Sequence, residues 1–323
     1  MVRPTTMVVL LVKGAAALAP LSSFEAYVER RQSELCERWE ALDGSGARFS
    51  VDRWERGDGS HGVARVLQGG ALVEKGAVST TFARGTLSKQ RAEAARARGR
   101  EGLEEGQPFR AAALSIVLHP RSPLVPTFRA DVRAFAVAES VWFGGGADLT
   151  PCYVFDDDAR EWHSLWRELC GDQRYRRFKT WCDDYFYLPL REEHRGIGGI
   201  FFDDLASIGG EQNVDPAEAF VRRVADAFDA AWRPVVDRRR NMPYGDRERQ
   251  WQLERRGRYL EFNLLSDRGV RFGLSPDAID RVMVSAPPLV AWTYGQPDPD
   301  PASDEGRLLA VLRNPPRDWI SSS

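Results

Sequence analysis

The chain has 323 residues, 43% hydrophobic and 28% charged, with a formal net charge of −2. That length and apolar fraction suffice for a large core, in one large domain or two ordinary ones, and the near-neutral balance supplies no global field for nucleic acid. The four cysteines form no C-x-x-C pair and the four histidines no H-x-x-x-H pair, so neither spacing encodes a metal site, and scattered thiols fit a reducing, intracellular compartment, cytoplasm or organelle.

In chain order, residues 1–22 have a basic start and a short apolar run broken by Lys13. They read as a targeting or disordered segment, with residues 23–323 as one folded domain. No run reaches the ~18 apolar residues that make a spanning helix. Residues 23–42 place Phe24, Tyr27, Val28, Leu35, Trp39 and Leu42 three to four apart, the period of an amphipathic helix. Residues 86–107, rich in Arg, Ala and Glu, read as a solvated helix or mobile loop without chemistry.

Two strands follow. In 113–119, Leu114, Ile116 and Leu118 alternate with Ser115, Val117 and His119. In 127–135, Phe128, Ala130, Val132 and Ala134 alternate with Thr127, Arg129, Asp131 and Arg133. One face is therefore apolar, and the other gathers Ser, His, Arg and Asp. Residues 141–151, VWFGGGADLTP, set three glycines beside Asp148. No Lys follows and the acid would repel phosphate, so this is no phosphate loop. It reads either as a tight turn with glycines at positive φ or as a loop that a ligand approaches closely.

Helices dominate 156–235. Asp156 or Asp157 caps a stripe of Trp162, Leu165, Trp166 and Leu169; a second stripe carries Phe178, Trp181, Cys182 and Tyr185; a third helix opens on Asp215-Pro216. Residues 258–274 read as a hairpin around DRG, and 282–294 as a further strand. Strands on both sides of a helical middle give an α+β fold: one large, mostly antiparallel sheet sandwiched by helices.

Four blocks carry a resemblance: SIVLHPRSPLVPT, WFGGGADLTP, KTWCDDYFYLPLREEHRGIGGIFFDDL, and YGDRERQWQLERRGRYLEFNLLSDRGVRFGL. Together they resemble the oxygen-dependent coproporphyrinogen III oxidases. The resemblance implies a flat antiparallel sheet between helices, a homodimer formed through residues 250–290, and a tetrapyrrole substrate. It implies oxidative decarboxylation of two propionates to vinyls, with O2 as co-substrate and no organic cofactor. It places Ser115, Asp131, Val132, Arg133 and Asp148 in the substrate pocket, adds Arg195 as a carboxylate binder, and puts His119 and His163 at family histidine positions. Asp148, Arg129 and Arg133 then carry the catalysis: a carboxylate accepts from pyrrole N–H groups, and guanidinium forks hold propionates.

The chain departs from the family pattern at defined points. Arg129 stands where the family has a histidine assigned as proton donor, Asp131 where it has Asn, and Leu190 where it has a further histidine. The loop after FGL is about one residue shorter and lacks a Gly-Gly-Arg triplet. Arg does not titrate near neutral pH. These differences leave open a working coproporphyrinogen oxidase, a paralogue acting on another propionate-bearing tetrapyrrole, and a non-catalytic tetrapyrrole-binding homologue.

Overall fold

The structure, a computed structural model, describes residues 21–97, 99–138, 140–205, 217–267, 270, 276, 278–314 and 316–320. Nearly all of the 1–22 segment lies outside them. Helix α1 (Ser22–Asp43) buries Phe24, Tyr27, Val28, Leu35, Trp39 and Leu42, as the period requires, and ends on Gly44 at φ 73°, the left-handed cap that lacks a Cβ penalty. Strands β1 (Ser50–Glu55), β2 (His61–Gln68) and β3 (Val73–Thr86) lead through α2 (Lys89–Ala97) to β4 (Pro108–Pro120), β5 (Thr127–Val137) and β6 (Ser140–Thr150). Next come α3 (Asp156–Cys170), α4 (Asp172–Tyr185), a two-residue pair β7 (Tyr187–Leu188) and β8 (Glu193–His194), and β9 (Gly198–Leu205). The chain closes with α5 (Ala217–Asp226), α6 (Phe228–Arg239), α7 (Asp246–Leu265), α8 (Ile279–Met283) and α9 (Asp304–Arg313).

The main sheet has seven strands in the order β1-β2-β3-β4-β5-β6-β9, every neighbour antiparallel. The architecture is therefore the expected α+β one. Its first face is dry: Leu114, Ile116, Leu118, Phe128, Ala130, Val132, Ala134, Ala147 and Phe202 share one core with side chains of α1, α3, α5 and α6. Large rings fill it, with Trp39, Trp162, Trp166, Trp232 and Phe128 almost wholly buried. Each such side chain contributes roughly 1.5–3 kcal/mol through area removed from water. Among the described residues no helix is long and apolar enough to cross a membrane.

Several local expectations are corrected. Residues 258–265 are not a strand but the last two turns of α7, and most of the expected second hairpin arm lies outside the described residues. Trp251, Arg255, Tyr259 and Phe262 are buried at intervals of three and four, a helical stripe that includes a charged member. Residues 282–294 are no strand either: Pro287 and Pro288 remove two backbone donors in succession. In α3 the residue before the helix is Phe155, without a side-chain cap, and Asp156, Asp157 and Asp158 instead occupy the first turn, where the helix dipole favours anions. The Asp215-Pro216 start lies outside the described residues.

The glycine run is a strand, not a turn. Gly144, Gly145 and Gly146 lie in mid-β6 and none is at positive φ. Space is what demands them. A Cβ on Gly146 would stand 2.5 Å from the Ile200 carbonyl oxygen, and one on Gly144 would stand 2.5 Å from Asp203 Oδ1 and 2.8 Å from Arg133 Nε.

Candidate active site

The second face of the sheet carries the polar set. Antiparallel register lays Ser115 beside Asp131, Arg129 beside Asp148 and Arg133 beside Gly144. Gly146 lies opposite Phe201. Directly opposed residues on one face are near enough to interact, so the alternation read from sequence becomes a two-dimensional array. Two helices cover its ends, α7 over one and α2 over the other.

At the α7 end everything is closed. Asp148 accepts two hydrogen bonds from Arg195 Nη2, at 2.8 and 2.7 Å, and the two side chains are 2% and 0% exposed. The guanidinium carbon of Arg195 lies 3.9 Å from the Phe186 ring centre, and 4.6 Å from both the Tyr259 and Phe262 rings. Its Nε and Nη1 have no hydrogen-bond partner among the described residues; the three rings supply cation–π attraction. Helix α7 is clamped there by ion pairs, Arg256 with Glu74 at 2.7 Å and Arg255 with Glu193 at 2.8 Å. Trp251 and Gln252 add hydrogen bonds to the carbonyls of Cys152 and Pro120.

His119 belongs to this end but does not face a ligand. It is fully buried, and its Nε2–H donates to the Ser285 carbonyl at 3.0 Å while Nδ1 accepts from the Thr127 hydroxyl at 3.3 Å. Burial, helped by the nearby Arg256 charge, pushes its pKa down to about 3, so it is neutral. His163 is removed from the polar face altogether. It sits on α3, donates to the Ile197 carbonyl at 3.0 Å, accepts from the Tyr175 hydroxyl at 2.9 Å and stacks on Trp319. Burial likewise holds its pKa down to about 3. Its bond to Ile197 steadies the loop that carries Arg195, two residues away.

The middle of the face is open. Ser115 is exposed there. Arg129 Nη1 donates to Asp131 Oδ1 at 2.9 Å, Arg133 donates to Asp131 Oδ2, and Arg133 Nη2 stands 3.4 Å from Asp203 Oδ1. Burial works against the Asp131 charge, but the Arg133 and Arg129 cations outweigh it and hold the carboxyl below its usual range. Burial also opposes the charge on Arg129, and Asp131, Asp267 and Asp148 together hold its pKa above the ordinary arginine value. Arg129 is thus a fixed cation. Val132, expected in the pocket, points its side chain into the core of the first face, fully buried; only its backbone belongs to the floor.

Beyond Arg133 the floor runs into a cleft of about 440 Å³, lined by Ala111, Ala113, Phe135 and Trp142 of the sheet, Leu87 and Ala95 around α2, and Arg133 with Asp203 at its inner end. The 86–107 segment, read as chemically silent, forms its cover. Asp148 does not line this cleft. Sequence reasoning also missed Phe186, Asp203, Tyr259 and Phe262. Asp203 had a signal, since Phe201 and Asp203 alternate with Phe202 within the block GGIFFDDL; Tyr259 and Phe262 had none once their segment was read as a strand. Among the described residues no three His, Cys, Asp or Glu side chains form a metal-ligand set.

Comparison with known proteins bears directly on this face. A family model described as coproporphyrinogen III oxidase matches residues 23–319. The chain is also 43% identical over 308 residues to a Drosophila melanogaster protein named oxygen-dependent coproporphyrinogen-III oxidase, covering 92% of this chain and 77% of that one.

Proposed function

The chain belongs to the coproporphyrinogen III oxidase family, and from that premise we propose that it performs the oxygen-dependent oxidative decarboxylation of coproporphyrinogen III, turning two propionates into vinyls to give protoporphyrinogen IX. The observation that carries this reading is the open floor, where Arg129, Asp131 and Arg133 form one ion-paired row beside an apolar cleft. A flat macrocycle with carboxylate arms needs both features. Rings lie against the cleft wall of Ala113, Phe135 and Trp142, while the arms pair with guanidinium groups.

Each step converts R–CH2–CH2–COO⁻, O2 and H⁺ into R–CH=CH2, CO2 and H2O2. The C–COO⁻ bond breaks and its electron pair becomes the vinyl π bond, while a hydride equivalent leaves the adjacent carbon and, with the proton, reduces O2 to H2O2. O2 is the oxidant and no organic cofactor takes part. The protein supplies position and charge. Asp131 turns Arg129 and Arg133 toward the floor; Arg133 holds a propionate; Arg129 stabilises developing anionic charge. Asp148, register partner of Arg129 and ion-paired with Arg195, helps to keep Arg129 charged and in place at the edge of the floor. Two of the four departures from the family pattern compensate each other: the cation gained at Arg129 is paired with the anion gained at Asp131, 2.9 Å away. The active unit is a homodimer, with residues 250–290 contributing to the contact.

The test is turnover of coproporphyrinogen III, mixed anaerobically and then aerated, with products read by mass spectrometry. Stepwise loss of two carboxyl groups is expected. Consumption of a different propionate-bearing porphyrinogen in its place would make the protein a paralogue, and no consumption of any would make it a binding homologue.

A further inference from the structure

The cleft has two cationic ends, and only the inner one has so far been given a task. Arg133 is held there by Asp131 and Asp203. At the outer end, α2 brings Arg91 into the lining, with Gln90 beside it. An aromatic wall joins the ends: Phe109 stacks on Phe135 with ring centres 5.1 Å apart, and Phe135 packs on Trp142 at 5.0 Å. The Arg91 guanidinium lies over the Phe109 ring, 5.6 Å from its centre. Arg100 lies over the other end of the wall, above Trp142.

The arginines around this wall differ in one respect. Arg100 pairs with Asp204, and Arg133 and Arg129 share Asp131. Arg91 has no carboxylate partner among the described residues, and its main-chain N–H is tied to the Ser88 hydroxyl at 3.3 Å, which fixes the first turn of α2. A guanidinium positioned by an aromatic face, with its N–H donors unspent and its side chain in a cleft, is set to receive an anionic oxygen pair. We propose that Arg91 is the second carboxylate anchor of the cleft: it binds a propionate that does not react while Arg133 holds the opposite side of the same macrocycle. The inference rests on the tetrapyrrole reading above and adds α2 to the specificity-determining parts of the site. Two anchors lining one cleft then favour substrates with carboxylates on more than one ring.

The experiment compares wild type with Arg91→Lys, Arg91→Ala and Arg91→Glu, each checked for an unchanged Tm. KM and kcat are measured on coproporphyrinogen III, and Kd is measured by fluorescence titration with coproporphyrin, the oxidised macrocycle with the same four carboxylates. KM and Kd are expected to rise in the order Lys, Ala, Glu, by about tenfold for Ala, while kcat stays within about twofold, as for a contact made equally in ground and transition states. Equal KM and Kd across the series overturn the role of Arg91, even with a fully active enzyme. A wild type that binds coproporphyrin but turns nothing over defeats the proposed reaction, and the Kd series still decides the anchor. A wild type that does not bind coproporphyrin defeats both.

Discussion

The two ends of one sheet face are built on opposite terms. Under α7, charge is buried and fully committed: Asp148 with Arg195, Arg255 with Glu193, Arg256 with Glu74, and the neutral His119 in a fixed tautomer nearby. Toward α2, the cations are partly exposed, Arg129 at 20% and Arg133 at 32%, around the buried Asp131, and they border open volume. The contrast teaches that polar residues on one strand face need not do one job. A carboxylate buried against a cation fixes geometry, because either partner left alone carries a heavy desolvation penalty. Where two partly exposed guanidinium groups share one carboxylate at the rim of a cleft, donors are left over for a ligand.

The most severe way to break the closed end is Asp148→Asn. It leaves the Arg195 cation buried without its counter-charge, which costs about 3–5 kcal/mol. Turnover should be lost and the urea midpoint should fall sharply. A midpoint equal to wild type would mean that the three aromatic rings alone sustain Arg195. Next in size is Gly146→Ala. Its new methyl group meets the Ile200 backbone at 2.5 Å, and backbone cannot step aside, so stability should drop by about 1–3 kcal/mol. Gly144→Ala meets only side-chain atoms of Asp203 and Arg133, so it should harm KM more than Tm.

A pH series separates the ends without mutation. His119 and His163 are held to about 3 in the folded protein against an ordinary value of 6.5. The unfolded chain therefore binds protons that the folded chain refuses between pH 6.5 and 3. Stability is full above 6.5 and falls as pH drops through that window, by up to about 1.4 kcal/mol per pH unit for each histidine. Chemical denaturation at pH 7 and pH 5 reads it, and His119→Gln should flatten the slope; an unchanged slope would remove His119 from the account. The smallest effect belongs to the open end. Arg129→His restores a titratable group at the family's proton-donor position and should raise turnover about tenfold, short of the roughly 10²–10⁴-fold that a fully positioned general acid supplies. The single substitution leaves Asp131 paired with Arg133 alone, so Arg129→His with Asp131→Asn should gain more. A fall in turnover in both variants, with weaker porphyrin binding, would make Arg129 a carboxylate holder instead.

The sequence by itself determined the face. Alternation in 113–119 and 127–135 separates the core side chains from Ser115, Arg129, Asp131 and Arg133, because a strand sends successive side chains to opposite sides, and the family blocks pointed to Asp148 and Arg195. Only the tertiary structure decided how that face is used. The helical stripe of α7 was hidden because it buries Arg255 and Arg256, which look like surface residues until Glu193 and Glu74 arrive from distant strands. The histidines looked chemical until Ser285, Thr127, Ile197 and Tyr175 satisfied them. The Arg-rich segment 86–107 looked solvated until α2 became the wall of a cleft. In each instance the deciding partner lies far along the chain, and pattern within a window carries no record of which charge a fold will pair and which it will leave facing a ligand.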